Sequence, residues 1–231
     1  RQDKDFRIIR QLYDRETLGD TFRIESRVQG SRGIPGDWRN QKARGGGMVL
    51  DWGVHLIDQM FQITGERRLE SVYATLDYVT NQECDDGFTV LAAFEGGLQF
   101  RLEVGTSHFI SLPRWYMLGK NGSAVIEDWD LHGKIVMVSD WENREAVPIQ
   151  AAAGWTKTMA PRTADSIREY PLPAVQSSDL EFYRNVVAVL HGDAEPLVKT
   201  QEVIRVMRFM EAAFRSAEEN RPLPWEEADP G

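Results

Sequence analysis

The run from Gly45 to Phe61, Gly-Gly-Gly-Met-Val-Leu-Asp-Trp-Gly-Val-His-Leu-Ile-Asp-Gln-Met-Phe, sets two carboxylates and an imidazole in an otherwise apolar stretch. On a helix advancing about 100° per residue, Asp51, His55, Asp58 and Gln62 share one narrow stripe. Apolar side chains cover the remaining surface, which predicts a buried helix. Ionisable groups on such a helix must be paired or must face a wet cleft. Asp51 and His55 lie four residues apart and would meet on one face. A carboxylate there would orient the imidazole as a general acid/base. The duller reading has Asp51 complementing the helix dipole and His55 satisfied within a core. Asp58 either supports His55 one turn further on or pairs with an arginine elsewhere. The three glycines would let a ligand approach the backbone at the helix entry, where negative charge is favoured.

Trp38 and Arg39 precede the glycines in a long polar loop, 29–44. They could form a substrate wall and an anion clamp; alternatively, the tryptophan pins its own loop to the core. Three ligands from one helix do not make a metal site without others from a second element. No second His/Cys cluster exists, so no metal is expected. His108, His132 and His191 have no patterned partners. No Gly-x-Gly-x-x-Gly follows a strand, and there is no P-loop.

The elements that must position these residues can be read from periodicity. Phe6, Ile9 and Tyr13 recur at helical spacing, and Gly19 closes that segment. Residues 21–28 alternate as a half-buried strand, as do the segments around Val72–Tyr78, Phe88–Phe94 and Leu98–Val104. Gly96-Gly97 and Asn121-Gly122 mark tight hairpins. Residues 135–138 and 146–149 read as two more short strands, and 151–178 as a proline-interrupted loop. Helices are predicted over 179–190 and 200–217, followed by an extended tail at 221–225. The expectation is one α+β domain over 1–231, a mainly antiparallel, open-faced sheet with helices on one face. Its other face, with Arg101 and Glu103 solvated and Trp115, Tyr116 and Trp129 clustered, would be a homo-oligomer contact.

Bulk properties narrow the function. With 42% hydrophobic residues the 231-residue chain can bury a core, and a net charge of −9 argues against nucleic acid as a partner. A single cysteine, Cys84, permits no internal disulfide and suits a reducing, cytoplasmic setting. No apolar run is long enough to span a membrane. The chain opens on Arg1 and is at once helix-like, which suggests a piece of a longer protein.

The run Gly45–Asp58 closely resembles the signature of the Gfo/Idh/MocA oxidoreductases, relatives of glucose–fructose oxidoreductase and inositol dehydrogenase. The likeness extends to Asp5-Phe6-Arg7 with Leu18-Gly19-Asp20, to Asp37-Trp38-Arg39, to Gly119–Ser123 and to Ser216–Pro222. It implies a two-domain enzyme in which an N-terminal Rossmann domain binds NAD or NADP. The α+β domain then supplies the substrate wall and oligomer contacts. It further implies His55 as acid/base on a hydroxyl of a sugar, polyol or inositol-like alcohol, Asp51 as its partner, and Trp38, Arg39 and Asp58 near the substrate. The family's glycine-rich nucleotide loop and its catalytic lysine, in a Glu-Lys-Pro segment, have no counterpart here. The Rossmann domain is thus absent from this chain, which should be inactive alone and bind no cofactor. Two rivals stand beside this reading: a non-catalytic oligomerisation or ligand-binding module, and an NAD-dependent glycosidase.

Overall fold

Strand alternation sets which residues become core. The computed structural model describes residues 1–152, 154–178 and 180–226. In chain order its elements are α1 (Lys4–Asp14), β1 (Thr21–Gln29), a π-helical turn (Val49–Gly53) running into α2 (Val54–Thr64), β2 (Leu69–Asp77), β3 (Gly87–Phe94) and β4 (Gln99–Gly105). There follow β5 (Trp115–Gly119), β6 (Gly122–Ile126), β7 (Gly133–Val138), β8 (Ile149–Ala151), β9 (Gly154–Thr156) and β10 (Ile167–Tyr170). The chain closes with α3 (Leu180–His191), α4 (Thr200–Glu219) and β11 (Leu223–Pro224).

The main sheet runs β10-β7-β6-β5-β1-β4-β3-β2-β11, with β8 and β9 forming a separate ribbon. Every neighbouring pair in the main sheet is antiparallel except β1 and β4. A parallel pair needs a crossover, and here the segment carrying α2 and the β2–β3 hairpin supplies it. Register puts Ile24 beside Phe100 and Met117, and Ser26 beside Leu102 and Trp115, on one face. That face meets α1, α2 and α4. Phe88, Phe94, Phe100, Phe209 and Phe6 are wholly buried there, each contributing roughly 2–3 kcal/mol of transfer free energy. Phe61 of α2 packs edge-on to Phe209 of α4, 5.6 Å between ring centroids. The Asp5 carboxylate on α1 accepts the Trp115 indole N–H at 2.7 Å. The α+β architecture with a mainly antiparallel sheet covered by helices is therefore the one observed.

Several local expectations change. Trp115 belongs to the covered face and is fully buried, so it joins no surface cluster with Tyr116 and Trp129. Glu103 is buried too: it accepts from Arg101 Nη2 at 2.6 Å and Gln29 Nε2 at 2.5 Å, with Arg27 Nε 3.8 Å away. Charges facing away from the helices are held in this network rather than solvated. Gly96 and Gly97 both take positive φ in the β3–β4 turn, as a tight hairpin demands. The predicted strand at 146–149 is reduced to a bridge from Ala146 to Arg162 ahead of β8. The long loop 151–178 contains β9 and β10, which were missed because such short strands carry little periodicity. The helix predicted from 179 begins, among the described residues, at Leu180. Among the described residues, no helix is long and apolar enough to cross a membrane.

Candidate functional site

The glycines are explained by packing. A Cβ on Gly46 would lie 2.4 Å from the Arg39 carbonyl oxygen, and one on Gly47 would lie 2.3 Å from Asp85 Oδ1. Gly47 also holds φ 110°, a region side chains avoid. At Gly46 and Gly47 the space left by the missing side chains is filled by the protein's own Arg39 backbone and Asp85 carboxylate, whereas Gly45 faces open space. Gly47 N–H donates to Arg39 O at 2.8 Å, which ties the Trp38–Arg39 turn to the helix start. The negative charge expected at that start is Asp85, in the β2–β3 loop. Its Oδ2 accepts from Val49 N–H at 2.8 Å and its carbonyl from Met48 N–H at 3.0 Å. Burial raises the Asp85 pKa, and these backbone donors offset only part of the rise.

Asp86, next in sequence, does the same for the opposite wall. Its carboxylate takes Val79 N–H at 3.0 Å and Thr80 Oγ1–H at 2.8 Å, and Thr80 Oγ1 in turn accepts from Ile34 N–H at 3.3 Å. Burial alone would raise its pKa, but the Thr80 and Val79 amides outweigh that and lower it.

Between these walls lies a half-open cavity of about 870 Å³. It is lined by the loop 28–35 with Arg39, Asp51, Trp52, His55 and Trp129. Arg39 Nε donates to Asp51 Oδ2 at 2.8 Å and Nη1 to Asp37 Oδ2 at 2.8 Å. The Asp51 bond, together with the charges of Asp51 and Asp37, raises the Arg39 pKa against a smaller effect of desolvation. The Trp38 ring lies under the Arg39 guanidinium, 4.7 Å away, but does not line the cavity itself. Trp38 therefore steadies the cation rather than forming the wall.

The expected Asp51–His55 contact is not made. Residues 49–53 form a π-helical turn, whose wider i→i+5 spacing breaks the projection that aligned positions 51 and 55. Asp51 is held by Arg39 instead, and His55 stands exposed beside Trp52, ring centroids 6.3 Å apart. Asp58 is not brought to this cavity. Arg1 grips it through Nη2 and Nε at 2.6 and 2.8 Å, while Arg1 Nη1 reaches Glu202 at 2.8 Å. Burial works against the Arg1 charge, yet Asp58 and Glu202 raise its pKa overall. Of the two sequence readings of Asp58, the pairing with a distant arginine is the one formed. A second cavity, about 770 Å³, lies on this side between α1, α2, α3 and α4. His55 lines both cavities.

Sequence reasoning passed over Trp52 and Trp129 as wall residues, and Asp85 and Asp86 as the loop that holds both walls. A pair of acids directly before a buried strand was the available signal for the latter. His132, read as unpartnered, donates its Nδ1–H to Asp128 Oδ2 at 2.7 Å. That bond raises the His132 pKa and lowers that of Asp128. Asp128, Asp130 and His132 place ligand atoms within 4.8 Å of one another on the surface, and the hydrogen bonds within the loop account for their closeness.

Among the described residues, none builds a dinucleotide-binding crevice. The sheet has a single parallel pair, and no glycine-rich phosphate loop follows a strand.

The model of the GFO/IDH/MocA C-terminal domain matches residues 6–125. The chain is 25% identical over 225 residues to scyllo-inositol 2-dehydrogenase (NADP(+)) IolW of Bacillus subtilis (strain 168), covering 96% of this chain and 62% of that protein. A crystal structure of an NAD-binding protein from Listeria innocua superposes with TM-score 0.92 at 45% identity, covering 97% of this chain and 64% of that one. The WlbA dehydrogenase from Bordetella pertussis, solved with NADH and UDP-GlcNAcA, shares the fold at TM-score 0.67 and 17% identity, over 99% of this chain and 61% of its own. The chain thus spans under two thirds of the length of each of these relatives. It belongs to the Gfo/Idh/MocA oxidoreductase family, whose C-terminal domain it carries.

Proposed function

We propose that this chain is the substrate-side domain of an NAD(P)-dependent oxidoreductase that acts on a secondary hydroxyl of a sugar, polyol or inositol-like alcohol. The observation that carries the reading is His55: an exposed imidazole in the wall of a cavity that also holds a fixed Arg39–Asp51 pair and two indoles. The imidazole takes the hydroxyl proton as the carbonyl forms. Arg39, held by Asp51 and Asp37, presents its remaining N–H groups to substrate oxygens, and Asp51 positions that cation. A nicotinamide dinucleotide, held by a separate Rossmann domain, supplies the hydride acceptor. The second cavity supports such a neighbour, because α3 buries none of its side chains and exposes Phe182 into its lining. A homo-oligomer through the sheet face turned away from the helices, and a cytoplasmic setting, complete the proposal. The 231-residue chain alone would not turn over substrate.

The test uses the longer protein with its dinucleotide domain, assayed with scyllo-inositol and related polyols and both NAD and NADP. His55→Ala should lower kcat by roughly 10²–10⁴-fold with little change in dinucleotide affinity. Turnover equal to wild type on the best substrate would refute the catalytic assignment.

A further inference from the structure

Two large indoles remain half-exposed in the wall beside His55, Trp129 at 56% and Trp52 at 37%. We infer that Trp52 and Trp129 form a stacking platform by which this cavity selects cyclic polyols over acyclic ones; the inference rests on the reading of the cavity as the substrate site.

The two rings adjoin, with centroids 6.3 Å apart and planes tilted by 48°, so they present a shallow apolar trough. One face of Trp129 is backed by a cation. The Arg114 guanidinium lies 4.7 Å from its ring centroid. Arg114 is itself buried and fixed, donating to Ser26 Oγ at 2.6 Å and Arg27 O at 3.1 Å, with Asp5 Oδ2 3.2 Å from its Nε. The Trp115 ring lies 5.0 Å from the same cation. Asp128 steadies the turn around Trp129 by accepting from Asp130 N–H at 3.0 Å and His132 N–H at 3.2 Å. Trp52 is fixed by its place in the π-helical turn and by its edge contact with His55. Rigid aromatic surface of this kind binds at low entropic cost.

The ligand chemistry follows from the trough. A six-membered polyol ring with mostly equatorial hydroxyls turns axial C–H bonds to its faces and hydroxyls to its rim. Such a ring lays an apolar face on the indoles while its rim reaches Arg39 and His55. An acyclic polyol has the same hydroxyls but no flat C–H face, and would have to be ordered before it could stack. Stacking reads the ring and not the configuration at each carbon, which is left to the polar groups of the rim.

The experiment is saturation-transfer NMR on the 231-residue chain, with myo-inositol as the cyclic probe and sorbitol as the acyclic one, run alongside near-ultraviolet circular dichroism. In the wild type, irradiating indole protons should saturate the ring methines of myo-inositol and leave sorbitol weakly affected. Trp129→Leu, which keeps an apolar cover over Arg114 but removes the aromatic face, should weaken myo-inositol binding by roughly tenfold, and Trp129→Phe should restore most of it. Equal saturation of both polyols, no saturation of myo-inositol, or unchanged affinity in a folded Trp129→Leu chain would each overturn the platform. None of those results bears on whether His55 moves a proton. Conversely, normal turnover by His55→Ala with ring preference intact would remove the catalytic role and leave the platform standing.

Discussion

The two cavities that meet at His55 are of similar size but are built differently. The first is built from loops and a π-helical turn, and mixes two indoles with a cation locked between carboxylates. The second lies among four helices, and its lining combines aliphatic and phenyl side chains with charged groups already held in pairs, Arg1 with Asp58 and Glu202, and Arg7 with Glu181. A few placed polar groups over aromatic walls suit a small ligand. A mixed helical surface whose charges are largely paired already suits a protein neighbour. One imidazole touching both would report to each.

Measurements can break or sharpen that contrast. The largest effect should be in backbone protection. The α3 amides should exchange in the 231-residue chain at least about 10²-fold faster than in the longer protein with its dinucleotide domain, because none of the α3 side chains is buried here. Equal protection would mean that the second cavity docks nothing. Next come the two arginines. In the longer protein, Arg39→Met should raise KM about tenfold with a smaller change in kcat. Arg1→Met should leave both constants alone and lower thermal stability by about 1 kcal/mol, since it strands Asp58 and Glu202. A KM effect from Arg1 would erase the distinction between the cavities.

A subtler effect concerns the wall-holding loop. The folded-state pKa of Asp85 is raised by burial, so this group contributes stability below the unfolded carboxylate value and loses it as pH rises through the folded one. Asp85→Asn keeps an acceptor for Val49 N–H and removes that dependence. Chemical denaturation from about pH 3 to pH 7 should show the variant gaining on the wild type as pH rises; a constant gap would rule the mechanism out. The smallest effect is at the Trp129 turn. His132 should titrate above its ordinary value by NMR, and Asp128→Asn should bring it back down. Its contribution to holding the turn is present below the unfolded histidine pKa and is lost as pH rises through the raised one.

The sheet was legible wherever strands were long and alternating, because burial of one face forces period two. Gly96-Gly97 and Gly65 marked a turn and a helix end through backbone conformations that other residues resist. What escaped were features set by partners distant in sequence. The Glu103 network depends on which strands lie beside β4. The Arg1–Asp58 pair joins residues 57 positions apart. The π-helical turn left no trace in composition, so an α-helical projection placed Asp51 beside His55 when Arg39 is the residue that holds it. Residue types singled out Arg39, Asp51 and His55, which line one cavity, but not the contacts that join them.

That turn has a consequence for how the site can change. Its extra residue sets the angular offset between the segment carrying Asp51 and Trp52 and the core-facing Leu56, Ile57 and Met60. Removing one residue from 49–53 would let an ordinary α-helix run through, rotating the upstream side chains by about 100° relative to the anchored portion. Point substitutions keep the count and so preserve the layout, whereas a single-codon deletion would rewire the wall at once.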